Sequence, residues 1–446
     1  MSSPAILLVD FGASRVKGAL AEEGHILARH EEPAPQARYG VAGEVEIDPR
    51  GYGTLLKTII GRLSSPSLPR PKALWLCTEM HGFMLEDGKG TALTPYISWR
   101  DMRATYPLSS GDEPTLSACE RQSGEQFSRI TGMRLKSGLP FLGLAHLARQ
   151  KNLPRGARFL TLPEWIAVSV GSYAGRVHVS SAAGTGLYDL DAAKWSETLL
   201  AACGASSAEL RFADPTSADD MELGCCDVGQ RAAVSLCGGF GDLQAAVYGA
   251  GVPSRARAAF NIGTGSQVVR AVRDLSGKAE RRPYFANREL AAITHIPSGR
   301  ALNLFAGLFD GIAHGSGGAP GLFWRLLGSL TFDQILNAPL TVNMNAFPGA
   351  WRFSGGASIG ALLERCASAE TVVASIALAW LRQYAEALGI IDADREEREV
   401  VVAGGLPRRC PAALKSLEVL TGRRMLPSGV EEDETLAGLL RLAAGT

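Results

Sequence analysis

Residues 6–17 read ILLVDFGASRVK, and residues 259–269 read AFNIGTGSQVV. Each stretch is a β-rich run, then a turn of glycine and hydroxyl residues, then a second β-rich run. Such a turn aims backbone N–H groups into a concavity that suits phosphate oxygens. Two copies this far apart fit two similar domains rather than a tandem solenoid repeat. Only the first turn is preceded by an acid, Asp10, so the two halves are not equivalent. Two facing turns can hold one nucleotide triphosphate, and the asymmetry suggests a metal–phosphate site shared across a cleft.

Working outward, further strands are expected near residues 73–77, 232–237, 290–294 and 399–403. Residues 162–170 and 369–388 read as helices, the second being the strongest helix signal in the chain. Asp191 is a candidate N-cap for a helix over 191–202, and 215–224 reads as loop. Asp242 stands directly before LQAAVYGAG, a small-residue helix pattern. A helix from about Pro411, a short strand and a last helix over 431–444 close the chain. Gly438 in that last helix is expected to permit close packing. Strands alternating with helices imply mixed α/β layers.

A chain of 446 residues is too long for one ordinary core. Its 46% apolar and 20% charged content suits a soluble globular protein, and its formal net charge is zero. No segment gathers Lys and Arg into a stripe, so nucleic acid is not an expected partner. The opening MSSPAILLVD has no basic segment ahead of a long apolar core, so no secretory signal is expected. The most apolar stretch, 372–381, is too short to span a bilayer and is interrupted by Arg382. The eight cysteines are Cys77, Cys119, Cys203, Cys225, Cys226, Cys237, Cys366 and Cys410. None forms a C-x-x-C pair, so they read as reduced cytoplasmic thiols behaving as small buried hydrophobes.

Six strings, in order, carry a family resemblance. They are VDFGASRVKGAL at 9–20, EMHGFMLEDGKG with PYISWRDMR at 79–90 and 95–103, and SSAAGTGLYDLDAAKW at 180–195. GGFGDLQAAVYGAG at 238–251, FNIGTGSQVV at 260–269 and VVAGGLPRRC at 401–410 complete the set. Together they resemble the FGGY family of carbohydrate kinases. Within it, the strings from 241 onward and PYFANRELAA at 283–292 look most like the sedoheptulokinase-like branch. The resemblance implies an α/β fold of two actin-like (ribonuclease H-like) ATPase domains around a central cleft. The boundary is expected between 237 and 238, with sugar and first phosphate motifs before it. The implied activity is transfer of the ATP γ-phosphoryl group, with Mg²⁺, to a hydroxyl of a ketose such as sedoheptulose. Xylulose, ribulose or glycerol are alternative acceptors, and a silent sugar- or nucleotide-binding regulator is the alternative outside catalysis. The expected partner is a small sugar or polyol, with no membrane; a homodimer is compatible with this reading.

The residue assignments follow the motifs. Phosphoryl transfer needs a metal, donors for the phosphates and an acceptor for the nucleophile's proton. Asp10 is the candidate metal carboxylate, since Mg²⁺ takes only one or two carboxylates and keeps several waters. Gly12, Ser14 and Lys17 form the first phosphate site, and Gly263 with Thr264 the second. Gly404 and Gly405 follow a strand and precede a helix, as an adenosine platform requires. Asp242 is the candidate general base, although an Asp at a helix start is ordinarily an N-cap. Met80, His81, Trp99 and Asp101 make up the sugar side: a ring covers the apolar face, and polar groups pair with hydroxyls. Glu79 stands where the family usually has Gln, and Arg100 where many members have Asn.

Overall fold

The computed structural model describes residues 4–226, 233–263, 265–272, 279–315, 317–347, 349–361, 364, 368–430 and 433–445. The chain forms two compact units. One is Met1–Gly249 with Arg282–Asn287 and Thr435–Thr446, and the other is Ala250–Arg281 with Arg288–Glu434.

The first unit is built on a seven-stranded sheet. Its centre is three parallel strands, Val234–Gly241, Ala73–Thr78 and Ile6–Phe11, in that spatial order. Arg15–Glu22 and His25–Pro33 extend it antiparallel on one side, and Glu222–Cys226 and Gly171–Tyr173 on the other. The central strands are near-continuous apolar runs because both faces are covered. Leu7, Val9, Leu74, Leu76 and Leu236 share one core with Leu56, Ile59 and Ile60 of the helix Arg50–Leu63. Trp165 and Ile166 of the helix Leu162–Val170 join it.

The second unit repeats this plan. Arg424–Pro427, Glu399–Ala403 and Ala258–Asn261 are parallel, and Ser266–Val272 and Arg288–Ile296 continue antiparallel. Counting these five strands, and their five counterparts in the first unit, both sheets run third, second, first, fourth, fifth in chain order. The duplicated motifs at 6–17 and 259–269 are thus the first hairpin of each sheet. The core is supplied by the helix Ala369–Ile391, whose Trp380 and Tyr384 are fully buried. Trp380 Nε1 and the Tyr384 hydroxyl both donate to Ser298 Oγ at 2.9 Å, so neither ring buries an unmet donor.

Some expectations change. No helix begins at Asp191: its N–H donates to Asp189 Oδ1 in the turn of a small hairpin, Tyr188–Asp189 with Lys194–Trp195. The helix is only Glu197–Ala202, capped by Ser196. The loop expected over 215–224 includes the last two residues of the strand Asp214–Thr216 and the first three of Glu222–Cys226. Pro215 is tolerated because its strand belongs to a two-stranded pair. The first unit runs through Gly249 rather than ending at 237, because Val234–Gly241 pairs in parallel with Ala73–Thr78 inside its sheet. Ala232, Thr264, Cys366 and the first residues of the expected 431–444 helix lie outside the described residues; that helix is Glu434–Ala444. A methyl on its Gly438 would lie 1.9 Å from the Ala245 carbonyl oxygen, which accounts for glycine there.

Among the described residues no cysteine forms a disulfide, and Cys77, Cys119, Cys203, Cys226 and Cys410 are buried. Among the described residues no helix is long and apolar enough to cross a membrane.

Candidate active site

In the first unit, three parallel strands end in register. Phe11 pairs with Thr78, and Thr78 pairs with Gly241. Asp10, Glu79 and Asp242 therefore lie at the carboxyl ends of three adjacent strands. Neighbouring strands are about 4.8 Å apart, so the Asp10 and Asp242 strands stand roughly 10 Å from each other. In α/β sheets, this edge is where ligands bind.

Asp10 is buried, and register places it opposite Lys17 on one side and Cys77 on the other. Lys17 Nζ lies 4.0 Å from Oδ2, and the Cys77 thiol donates to Oδ1 at 3.6 Å. Gly12 N–H donates to the Arg15 carbonyl at 3.1 Å, closing the turn, while Ser14 is exposed. Asp10, recessed beside an exposed turn, is a donor that would suit Mg²⁺, which takes only one or two carboxylates. No cluster of three or more potential metal ligands occurs among the described residues, so a closed protein cage for a metal is absent there.

Asp242 opens the helix Asp242–Gly249. It is deeply recessed, though part of its surface remains open, and burial raises its carboxyl to about 6. Its Oδ1 accepts the Leu243 N–H at 2.7 Å, which opposes that rise. The strand–helix junction before it is clamped from behind. Gly241 N–H donates to Ser180 Oγ at 3.1 Å, and Ser181 Oγ donates to the Gly239 carbonyl at 2.8 Å. The Ser180 backbone N–H donates to His178 Nδ1, so that nitrogen is an acceptor, and Ser180 Oγ lies 2.7 Å from it. Burial holds His178 neutral, with its pKa pushed down to about 3. Its ring meets Phe240 edge-on at 4.7 Å, and Phe240 meets Phe285 at 5.1 Å.

Met80 lies between two glycines. A methyl on Gly241 would fall 2.4 Å from Met80 Sδ, and one on Gly184 would fall 3.0 Å from Met80 Cε. His81 takes the left-handed conformation, φ 67°, and its Nδ1 donates to the Gly184 carbonyl at 2.5 Å. Trp99 Nε1 donates to Glu79 Oε2 at 3.0 Å. The structure thus gathers Glu79, Met80, His81, Trp99 and Asp242 around one strand edge. Asp101 is different. Its Oδ2 accepts the Val45 N–H at 2.7 Å, its Oδ1 accepts the Arg103 N–H at 3.0 Å, and Arg103 Nε reaches both oxygens. Arg103 also binds Glu46 at 2.8 Å. The Asp101 carboxylate is therefore engaged in holding its own loop rather than standing open to a sugar.

In the second unit, Gly263 N–H donates to Ser266 Oγ at 3.1 Å, so a hydroxyl closes that turn from inside. Gly404 has φ 96°, and a methyl there would lie 2.3 Å from the Ile262 carbonyl oxygen. The second turn and the Gly404–Gly405 pair are thus neighbours across adjacent parallel strands. Gly405 is exposed, with open space beside it. Sequence reasoning missed Cys77, Ser180 and Gly184, whose partners Asp10, Gly241 and His81 lie far away in the chain. It also missed Arg103 and His178, whose partners Asp101 and Ser180 stand two positions away but form no recognised motif.

The N-terminal domain model of the FGGY family of carbohydrate kinases matches residues 5–249. The chain belongs to this family. Among curated relatives, it is 27% identical over 289 residues to an apulose kinase of Pectobacterium atrosepticum, covering 61% of this chain and 55% of the relative. It is 26% identical over 263 residues to a xylulose kinase of Klebsiella pneumoniae, covering 57% of this chain and 52% of the relative. The chain thus spans about half the length of the curated relatives it matches. Solved structures share the fold at low identity. A xylulose kinase from Lactobacillus acidophilus superposes with a TM-score of 0.82 at 17% identity, over 99% of this chain and 90% of that one. A glycerol kinase from Plasmodium falciparum gives 0.77 at 14%, over 99% and 89%. The FGGY fold is accordingly that of two actin-like α/β domains.

Proposed function

We propose that this FGGY chain is an ATP-dependent sugar kinase with a ketose or related polyol as acceptor. The observation that carries the reading is the register of Asp10 and Asp242 at the ends of parallel strands, with Met80, His81 and Trp99 beside them. In the reaction, a sugar hydroxyl oxygen attacks the γ-phosphorus. The new O–P bond forms as the bond to the ADP oxygen breaks, and the hydroxyl proton passes to Asp242. An alcohol is a weak acid, so Asp242 mainly orients the hydroxyl and accepts its proton late, as P–O bond formation acidifies it. A raised carboxyl pKa makes it a stronger base for that task.

Asp10 would hold Mg²⁺, whose charge offsets that of the phosphates. Gly12, Ser14 and Lys17 are assigned to the phosphates. Gly263, Thr264, Gly404 and Gly405 are assigned to the nucleotide. Met80, His81 and Trp99 form the acceptor side, and Asp101 with Arg103 fixes the loop that carries Trp99. The names of the curated relatives favour a pentulose such as xylulose or apulose. Sedoheptulose is the second candidate, on the resemblance of residues 241–251 and 283–292. A silent regulator is disfavoured because both carboxylates are in place.

The test is ADP release with Mg·ATP over a panel of ketoses, aldoses, polyols and aldonates. Turnover dependent on one ketose supports the reading and names the acceptor. ATP binding without turnover on any acceptor would overturn it.

A further inference from the structure

One hydrogen bond joins the strand edge to residues 96–103, the acceptor loop that carries Trp99. Glu79 follows the strand Ala73–Thr78, and its N–H donates to the Phe11 carbonyl at 2.8 Å, one residue beyond Asp10. Its side chain is 5% exposed, and its Oε2 accepts the indole N–H of Trp99 at 3.0 Å. Glu79 Oε1 and the Tyr96 hydroxyl are buried and have no hydrogen-bonding partner. The Tyr96 hydroxyl lies near enough to favour the Glu79 anion, but not in hydrogen-bonding geometry. An acid buried with one oxygen unpaired is costly to the fold.

We propose that Glu79 is a positioning residue for acceptor recognition, its carboxylate fixing the Trp99 ring against the apolar face of a bound neutral sugar. The inference rests on the sugar-kinase reading above. An indole N–H held by a carboxylate is a charge-assisted bond, roughly twice as strong as one to a neutral acceptor. The charge on Glu79 therefore sets how firmly the ring is held. Burial pushes this carboxyl up to about 7, against the pull of Arg100, Tyr96 and Trp99. The groups facing it are Tyr52 from the helix Arg50–Leu63, Tyr96, Trp99 and Arg100 from the acceptor loop, and Asp242, whose charge raises it further. The ring is held tightly above neutral pH and loosely below it, so the acceptor KM falls as pH rises through about 7.

The experiment compares wild type, Glu79→Gln, Glu79→Ala and Trp99→Phe. Kinetics use the best acceptor of the panel, with D-xylulose as the first probe, alongside tryptophan emission against pH. Glu79→Ala raises KM about tenfold or more, with kcat moving far less. Glu79→Gln keeps a carbonyl for the indole N–H, so it restores most of the affinity and makes KM independent of pH. Wild-type emission titrates near neutral pH, and this step vanishes in both Glu79→Gln and Trp99→Phe. An unchanged KM in Glu79→Ala, or a KM titration that survives in Glu79→Gln, overturns the proposal. If wild type phosphorylates no sugar, the kinase reading fails, and emission alone decides the role of Glu79. A flat emission profile in wild type then overturns it, and a Glu79-dependent step supports it.

Discussion

Ser180 Oγ accepts the backbone N–H of Gly241 at 3.1 Å, one residue before Asp242. This contact and the Ser181–Gly239 bond fix the strand end from which the candidate base projects. Ser180→Ala leaves the Gly241 N–H and the His178 ring with fewer partners in a buried place. It should destabilise the protein by about 1–3 kcal/mol. It should also lower kcat more than it changes KM for ATP. Denaturant unfolding and steady-state kinetics check both effects.

Gly241 also leaves room for Met80. A side-chain carbon there would meet Met80 Sδ at 2.4 Å and Gln244 Oε1 at 2.5 Å. Met80 can bend away, and the rest of the strand end cannot follow easily. Gly241→Ala should cost about 1–3 kcal/mol of stability and raise the acceptor KM severalfold. Acceptor titrations at saturating ATP measure the second effect, and an unchanged KM would show that Met80 is not part of the acceptor site.

The same logic applies to Gly404 in the second unit. Its φ of 96° and its approach to the Ile262 carbonyl both exclude a side chain. Gly404→Ala should cost about 2 kcal/mol or more. Its effect on activity should fall on the KM for ATP and leave the acceptor KM near its wild-type value. Gly405→Ala, with open space around it, should leave stability within about 0.5 kcal/mol.

Asp242 carries a pH signature. Its carboxyl stands at about 6 in the fold against an ordinary 3.8. A base must be unprotonated, so kcat/KM should fall below about pH 6. Stability runs the other way. A carboxyl raised by folding contributes stability below its unfolded value, and that contribution is lost as pH rises through about 6. Asp242→Asn should therefore match wild type near pH 4 and exceed it by about 1–3 kcal/mol above pH 7. Chemical unfolding at the two pH values tests the sign.

Much of this was legible in the sequence, for a physical reason. The runs 6–9 and 400–403 are continuously apolar and end at Asp10 and Gly404, and that pattern is local. The duplicated hairpin showed in the sequence because phosphate-binding turns need particular residue types. The helix expected at Asp191 did not form, because Asp189 instead caps a hairpin turn just before it. The Asp101 expectation took the right residue and the wrong partner: Arg103, two positions on, occupies it. Ser180, Gly184 and Cys77 act through residues far away in the chain, and one sequence gives no sign of such pairs.

Asp242 is assigned as the group that takes the acceptor proton in phosphoryl transfer to a sugar. The most direct measurement is sugar-dependent ADP release by Asp242→Asn beside wild type, with calorimetric binding of the same sugar to both. Turnover should fall about 10²–10⁴-fold in Asp242→Asn, with sugar affinity largely kept. Wild-type-like turnover in Asp242→Asn would contradict the assignment.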